Sequence, residues 1–178
     1  MIEHTDYKDF YEKLFAEIAK KYGPLDKESI VSIIGFDAGG PVNLSKIDKI
    51  GLYVTCELCC RDDQKPSSFG NYELMIIGKD TEKWARNILT EIGRMTLDEV
   101  IDHHHTINFS EIVDKDDSIK GVIFEKYSSI IYKKKSYGIM LAIGITLPEL
   151  ELCYESGVQA CLKKLIEAKI YPNTILER

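Results

Sequence analysis

The sequence predicts an α+β fold, a mixed β-sheet of five or six strands with helices packed on its faces (an α/β sandwich). Three observations carry this. YELMIIG at 72–78, after Glu73, and the stretch Ile139 to Ile145 are apolar on both faces, as strands covered from both sides must be. Segments with apolar residues at helical spacing lie among them, at 7–22, 81–93 and 147–165. At 178 residues, with 44% apolar and 29% charged content, the chain can bury a sizeable core and is no disordered polymer. Residues 1–178 are therefore read as one domain, with no repeat or linker dividing them.

Along the chain, Tyr7, Phe10, Tyr11, Leu14, Phe15, Ile18, Ala19 and Tyr22 form the stripe of one amphipathic helix, with Thr5 or Asp6 as its cap and Gly23-Pro24 as its stop. Its aromatic richness is read as core packing, because a lone amphipathic helix must bury its stripe. Ser29 to Phe36 is β-branched and reads as a strand leading into the loop Asp37-Ala38-Gly39-Gly40-Pro41. The glycine pair lacks the spacing of a phosphate-binding loop, and no helix follows it directly. From Asp48 to Cys60 apolar and partly polar residues alternate, predicting a strand with one buried face. A polar loop, Arg61 to Gly70, separates it from the interior strand Tyr72 to Gly78.

Asp80 or Thr81 caps the next helix, which turns Trp84, Ala85, Ile88, Leu89 and Ile92 inward and ends near Gly93. Thr96 and Glu99 have the spacing of a capping box, predicting a second short helix from Leu97. Asp114 to Asp117 is a charged turn. Val122 to Phe124 and Ser129 to Tyr132 read as strands, Lys133 to Ser136 as the turn after them, and Ile139 to Ile145 as a central strand. Thr146 and Glu149, with Pro148 in the first turn, predict a capping box opening the last helix. That helix carries Leu150, Cys153, Tyr154, Gly157, Val158, Cys161, Leu162 and Leu165 on one face. Gly157 weakens a helix interior by about 1 kcal/mol relative to alanine, and its place on the stripe predicts close approach to the sheet. Pro172 closes the fold.

Charge and composition narrow the function. A net charge of −6 argues against nucleic acid as the main ligand and suits a basic protein partner. No apolar run approaches the roughly 20 residues that span a bilayer. The N-terminal MIEHTDYKDF has no apolar signal region, and five cysteines without an export signal fit reduced thiols in the cytoplasm.

Two clusters invite a metal reading. In CELCC, Cys56 and Cys59 have opposite parity on a strand and point to opposite faces, so buried thiols are expected rather than zinc ligands. His103, His104 and His105 lack the i, i+4 spacing of helical metal ligands; at most two could join a site with ligands from elsewhere, and a solvated helix end is expected. No cofactor and no metal ligand set is predicted, and no nucleophile elbow or dinucleotide fingerprint is present. The chain is read as non-enzymatic. The alternatives are a small metal-dependent or hydrolytic enzyme using His103 to His105 with Cys56 or Glu57, and a homo-oligomeric scaffold built on a sheet edge.

The order of LYVTCELCC, YELMII, KWARNILTEIG, HTINF, GVIFEKYSS and GIMLAIGITLPELELCYESGVQACLKKL resembles the suppressor-of-fused domain family, especially its bacterial members. The stretch these segments span, 52–165, is roughly two-thirds of the chain. The resemblance implies an α/β sandwich and protein binding without catalysis. Bacterial members resemble immunity proteins of polymorphic toxin systems, and the animal relative sequesters a transcription factor. The chain has no room for the animal protein's additional C-terminal domain, so that protein's contact residues are not carried over. CELCC departs from the small-residue ending expected after its strand. For a basic toxin partner the acidic loops hold the candidate contacts: Asp62 and Asp63, and Asp114, Asp116 and Asp117.

Overall fold

The computed structural model describes residues 6–26, 30–33, 42–111, 113 and 117–178. The helices are α1 (Tyr7–Leu14), α2 (Ala16–Tyr22), α3 (Glu82–Asp98), α4 (Leu147–Ser156) and α5 (Val158–Glu167). The strands are β1 (Ile30–Ile33), β2 (Val42–Ile47), β3 (Leu52–Cys56), β4 (Asn71–Ile77), β5 (Thr106–Asn108), β6 (Ile119–Tyr132) and β7 (Lys135–Thr146). Among the described residues they form one sheet in the order β1-β2-β3-β4-β7-β6-β5. Every neighbouring pair is antiparallel except β4 and β7, which run parallel with Asn71 opposite Tyr137 and Met75 opposite Leu141. The predicted α+β class, a mixed sheet with helices on its faces, is the one the chain adopts.

Alternation along the strands creates two cores. Met75 and Ile77 of β4, with Ile139, Leu141, Ile143 and Ile145 of β7, face α1, α2, α4 and α5. Tyr72, Leu74 and Ile76, with Met140 and Ala142, face α3 through Ala85, Ile88, Leu89 and Ile92. Burial on both sides is why these central strands read as continuous apolar runs. The stripe of the first helix is core in part. Phe10, Leu14, Phe15 and Ile18 are buried, with the Phe10 ring edge-on against Tyr132 and Tyr137 at 5.2 and 4.9 Å, whereas Tyr7, Tyr11 and Tyr22 are half-buried and Ala19 is exposed.

Several boundaries differ from the sequence reading. The first helix breaks at Phe15 into α1 and α2, although the backbone bonds from Phe15 to Tyr11 and from Ala19 to Phe15 keep the two nearly continuous. Asp6 stands at its N-cap without a side-chain cap bond and pairs with Lys133 instead; Thr5 lies outside the described residues, as does the Gly39-Gly40 loop. The strand expected over 48–60 is a 3-10 turn at Asp48–Ile50, then β3, then a second turn at Leu58–Cys60 entered through Glu57 with φ 79°. No helix starts at Leu97: α3 runs on to Asp98, and the Thr96 hydroxyl donates back to the Gly93 carbonyl at 2.7 Å instead of capping. The two strands expected at 122–124 and 129–132 are one strand, β6, whose polar middle carries an irregularity between Lys126 and Ser128.

The capping box of Thr146 and Glu149 is present, with the Thr146 N–H donating to Glu149 at 2.8 Å. The long helix it was expected to open is two helices. Gly157, at φ 87° and ψ 158°, ends α4 and starts α5 in a conformation open to glycine and little else. It is exposed and nothing lies within 4 Å of where its Cβ would be, so no close approach to the sheet occurs there. Tyr154 of α4, expected inside, is 63% exposed.

After α5 the chain returns across the ends of the central strands. The Thr174 N–H donates to the Ile77 carbonyl at 2.6 Å, and its hydroxyl accepts from the Gly144 N–H at 2.8 Å. Arg178 donates to Glu149 at 2.9 Å and to the Gly144 carbonyl at 2.7 Å. This segment ties β4, β7 and the start of α4 together.

Candidate functional site

The sequence singles out two acidic loops. Asp62 and Asp63 follow the Leu58–Cys60 turn. Arg61 donates through Nε and Nη2 to the two carboxylate oxygens of Asp63, at 2.9 and 2.7 Å, and holds that carboxyl below its ordinary pKa. Asp63 thus braces its own loop. Asp62 is exposed and lines a shallow cavity with Cys60, Lys135 and Tyr137, at the turn end of the β6–β7 hairpin. Asp117 is exposed at the other end of that hairpin, in a cavity with Asp80, Lys83, Trp84 and Ile119. Asp114 and Asp116 lie outside the described residues. Asp62 and Asp117 therefore sit at opposite ends of the 14-residue strand β6 and do not share one patch.

A second polar cluster lies under α1, and the sequence reading passed over its centre. Glu73 in β4 is fully buried. Its carboxyl accepts from the Thr55 hydroxyl at 2.5 Å, from Tyr11 Oη at 3.2 Å and from the Cys59 N–H at 3.2 Å. Burial pushes its pKa up to about 7, against the downward pull of those donors. Tyr11 Oη also accepts from the Glu57 N–H at 2.5 Å and lies 3.6 Å from Cys60 Sγ. Thr55 takes the Leu74 N–H on its hydroxyl at 2.8 Å just where the β3–β4 pairing stops, after Val54 and Met75. The thiols divide by environment: burial raises Cys56 to about 12 and Cys59 higher than usual, while the Cys59 S–H, 4.0 Å away, lowers Cys60. Cys59 is buried and Cys56 and Cys60 are half-buried. With no solvent access to Glu73, the cluster fastens α1 to the sheet and offers no general base to an outside substrate.

The histidines form the third cluster. They occupy a turn between α3 and β5, not a helix end. The His104 N–H donates to the Phe124 carbonyl at 2.7 Å, and the Phe124 N–H donates to His105, fixing the turn along β6. His104 has φ 67°, a left-handed turn that places two consecutive rings on the same side, 3.5 Å apart at their centroids. Both reach Glu125 of β6: His104 Nε2 is 3.1 Å and His103 Nδ1 is 3.7 Å from the same carboxylate oxygen. His105 turns away and accepts the Asp102 N–H on Nδ1 at 3.1 Å. Two of the three join a cluster, the maximum the spacing allows, and the further ligand-type group comes from β6. Cys56 and Glu57 are not part of it: Cys56 Sγ lies 3.2 Å from the Ser45 hydroxyl, and Glu57 is held at Tyr11.

No known family's sequence model matches this chain, and no curated protein matches it. Likeness is found among solved structures. A chain of the Sufu–Fu complex superposes with a TM-score of 0.71 at 14% identity, over 97% of this chain and 90% of that one. A suppressor-of-fused homologue from Neisseria gonorrhoeae does so with a TM-score of 0.63 at 16% identity, over 96% of each chain. Drosophila Suppressor of Fused gives 0.57 at 15% identity, over 78% of this chain and 38% of its own length. Near-complete coverage in both directions by two of the three means that helices, strands and connections agree as a whole, and the chain has the suppressor-of-fused fold.

Proposed function

We propose that this chain is a single-domain, cytoplasmic, non-enzymatic binding domain that captures a protein partner, and that the partner is a toxin domain it neutralises as an immunity protein. One observation carries the reading: a fold shared over 97% of the chain with a protein solved in the Sufu–Fu complex. Among the described residues no helix is long and apolar enough to cross a membrane, which fits a partner met in solution. The net charge of −6 supports a basic partner, since opposite charges speed encounter.

Of the two acidic loops, the segment holding Asp114, Asp116 and Asp117 is the better contact. Asp63 is already engaged by Arg61, which leaves Asp62 alone to meet a partner from its loop. Tagged protein drawn from its host lysate should bring down one stoichiometric partner that resists moderate salt and bears a toxin-like domain; background proteins alone would refute the reading. With that partner in hand, Asp116→Lys combined with Asp117→Lys should slow association at least tenfold at low ionic strength, with a shallower salt dependence. Asp62→Lys should do much less. Equal effects from both would discard the assignment of the contact loop.

A further inference from the structure

We propose that His103, His104 and Glu125 form a binding site for a divalent transition metal ion, zinc by its ligand chemistry, at the edge of the sheet where the 101–105 turn meets β6 and α5. One ligand-type atom from each of the three residues lies within 4.8 Å of the other two, a separation that a shared ion closes with small side-chain rotations. Two imidazoles and one carboxylate are the donor set that borderline metals such as zinc prefer.

The surroundings of the three residues are as informative as the residues. Glu125 is only 17% exposed, and its other oxygen accepts from Tyr171 Oη at 3.3 Å. Tyr171 thereby aims the free oxygen at the histidines, the orienting role that outer hydrogen bonds play around metal ligands. Gln159 of α5 brings its side-chain amide to 2.7 Å from His104 Nε2. His104 Nε2 thus faces a carboxylate oxygen on one side and an amide group on the other. With the amide turned so that its oxygen faces inward, that group becomes a fourth oxygen or nitrogen donor beside the two histidines and Glu125. The ligands come from three separate elements, the 101–105 turn, β6 and α5, so an ion would pin the turn and α5 to the sheet edge.

His103 sets the cost. Its Nδ1 accepts the Lys126 N–H at 3.0 Å and carries its lone pair there, so coordination through Nδ1 gives up that bond. The two rings are tilted by 34° with centroids 3.5 Å apart, so a shared ion requires each to rotate about χ2. The left-handed backbone at His104 is what makes neighbours in sequence neighbours in the site, which is why the consecutive spacing hid it. This inference does not depend on the protein-binding reading.

The test is zinc titration of the full chain followed by competition with a chromophoric chelator, with thiols kept reduced. One ion per chain should bind, and Glu125→Gln or His104→Asn should each weaken it at least tenfold; asparagine is chosen because it tolerates the left-handed backbone. Circular dichroism of each variant confirms that it folds. In the folded wild type, perturbation by zinc of the His103 and His104 ring signals in NMR, with His105 unmoved, would support the site independently. Absence of stoichiometric binding at micromolar zinc would overturn the proposal. So would binding that survives both substitutions and vanishes on alkylation of the cysteines, because the ion would then sit on thiols instead.

Discussion

Glu73 shows how much of a polar cluster a sequence conceals. Its letter in YELMIIG marks a charged residue in an apolar run, but the three donors that keep it inside, Tyr11, Thr55 and the Cys59 N–H, come from three distant points of the chain. A raised carboxyl pKa has a definite consequence for stability. Between the ordinary value near 4.5 and the folded value of about 7, the native state holds a proton that the unfolded chain has lost, so stability falls as pH rises through that window. Above it the cost is constant, about 3 kcal/mol from a shift of this size. Glu73→Gln, which stays neutral, should therefore gain relative to the wild type by about that amount on going from pH 4.5 to pH 8, read from urea midpoints at each pH. An unchanged difference between the two proteins would mean that Glu73 is ionised in the fold. The histidines teach the complementary point: the limit of two per site follows from residue spacing, whereas Glu125 and Gln159 become visible only once β6 and α5 are in place.

Elements were legible wherever their pattern was local. The strand at 71–77, the inner face of α3 and the capping box at Thr146 each depend on residues within a turn or a run of the chain. The sequence lost the boundaries where a backbone reversal interrupts a continuing apolar pattern, as at Glu57 and Gly157, or where polar residues interrupt a continuing strand, as in β6. Both β2 and β5 escaped notice because VNLSKI and TIN have too little alternation to stand out alone. Gly157 discriminates the two descriptions by sign. In a helix interior Gly157→Ala would stabilise by about 1 kcal/mol. At φ 87° and ψ 158° it should destabilise by about 1–3 kcal/mol despite the open space around it, as a thermal or chemical denaturation curve would show.

For the molecule as a whole, agreement with suppressor-of-fused structures at 14–16% identity is agreement of architecture, and the residue order that pointed to the family is mostly the hydrophobic pattern that architecture demands. Contact surfaces leave no such trace, so the acidic residues could be named from sequence while the placement of Asp62 and Asp117 at opposite ends of β6 could not. The closure after α5 was equally hidden, since it rests on single long-range bonds. Arg178 and Glu149 are about nine-tenths buried as a pair, so Arg178→Ala should cost about 3 kcal/mol by stranding the carboxylate, with a lowered denaturation midpoint as the readout.

The parallel pairing of β4 with β7 also sets an order of events. On the side away from β3, β4 gains its neighbour only after α3, β5, β6 and the hairpin turn have been made. During synthesis the amino-terminal half therefore emerges with an apolar strand, covered on one face by α3, whose free backbone edge waits for a distant segment. Such an edge is a template for any other extended chain. A fragment ending after α3 would carry that edge permanently and associate through it, while the whole chain escapes by completing its hairpin. Long-range assembly of this kind is slow, and β7 serves the protein as the strand that ends its exposure to misassembly.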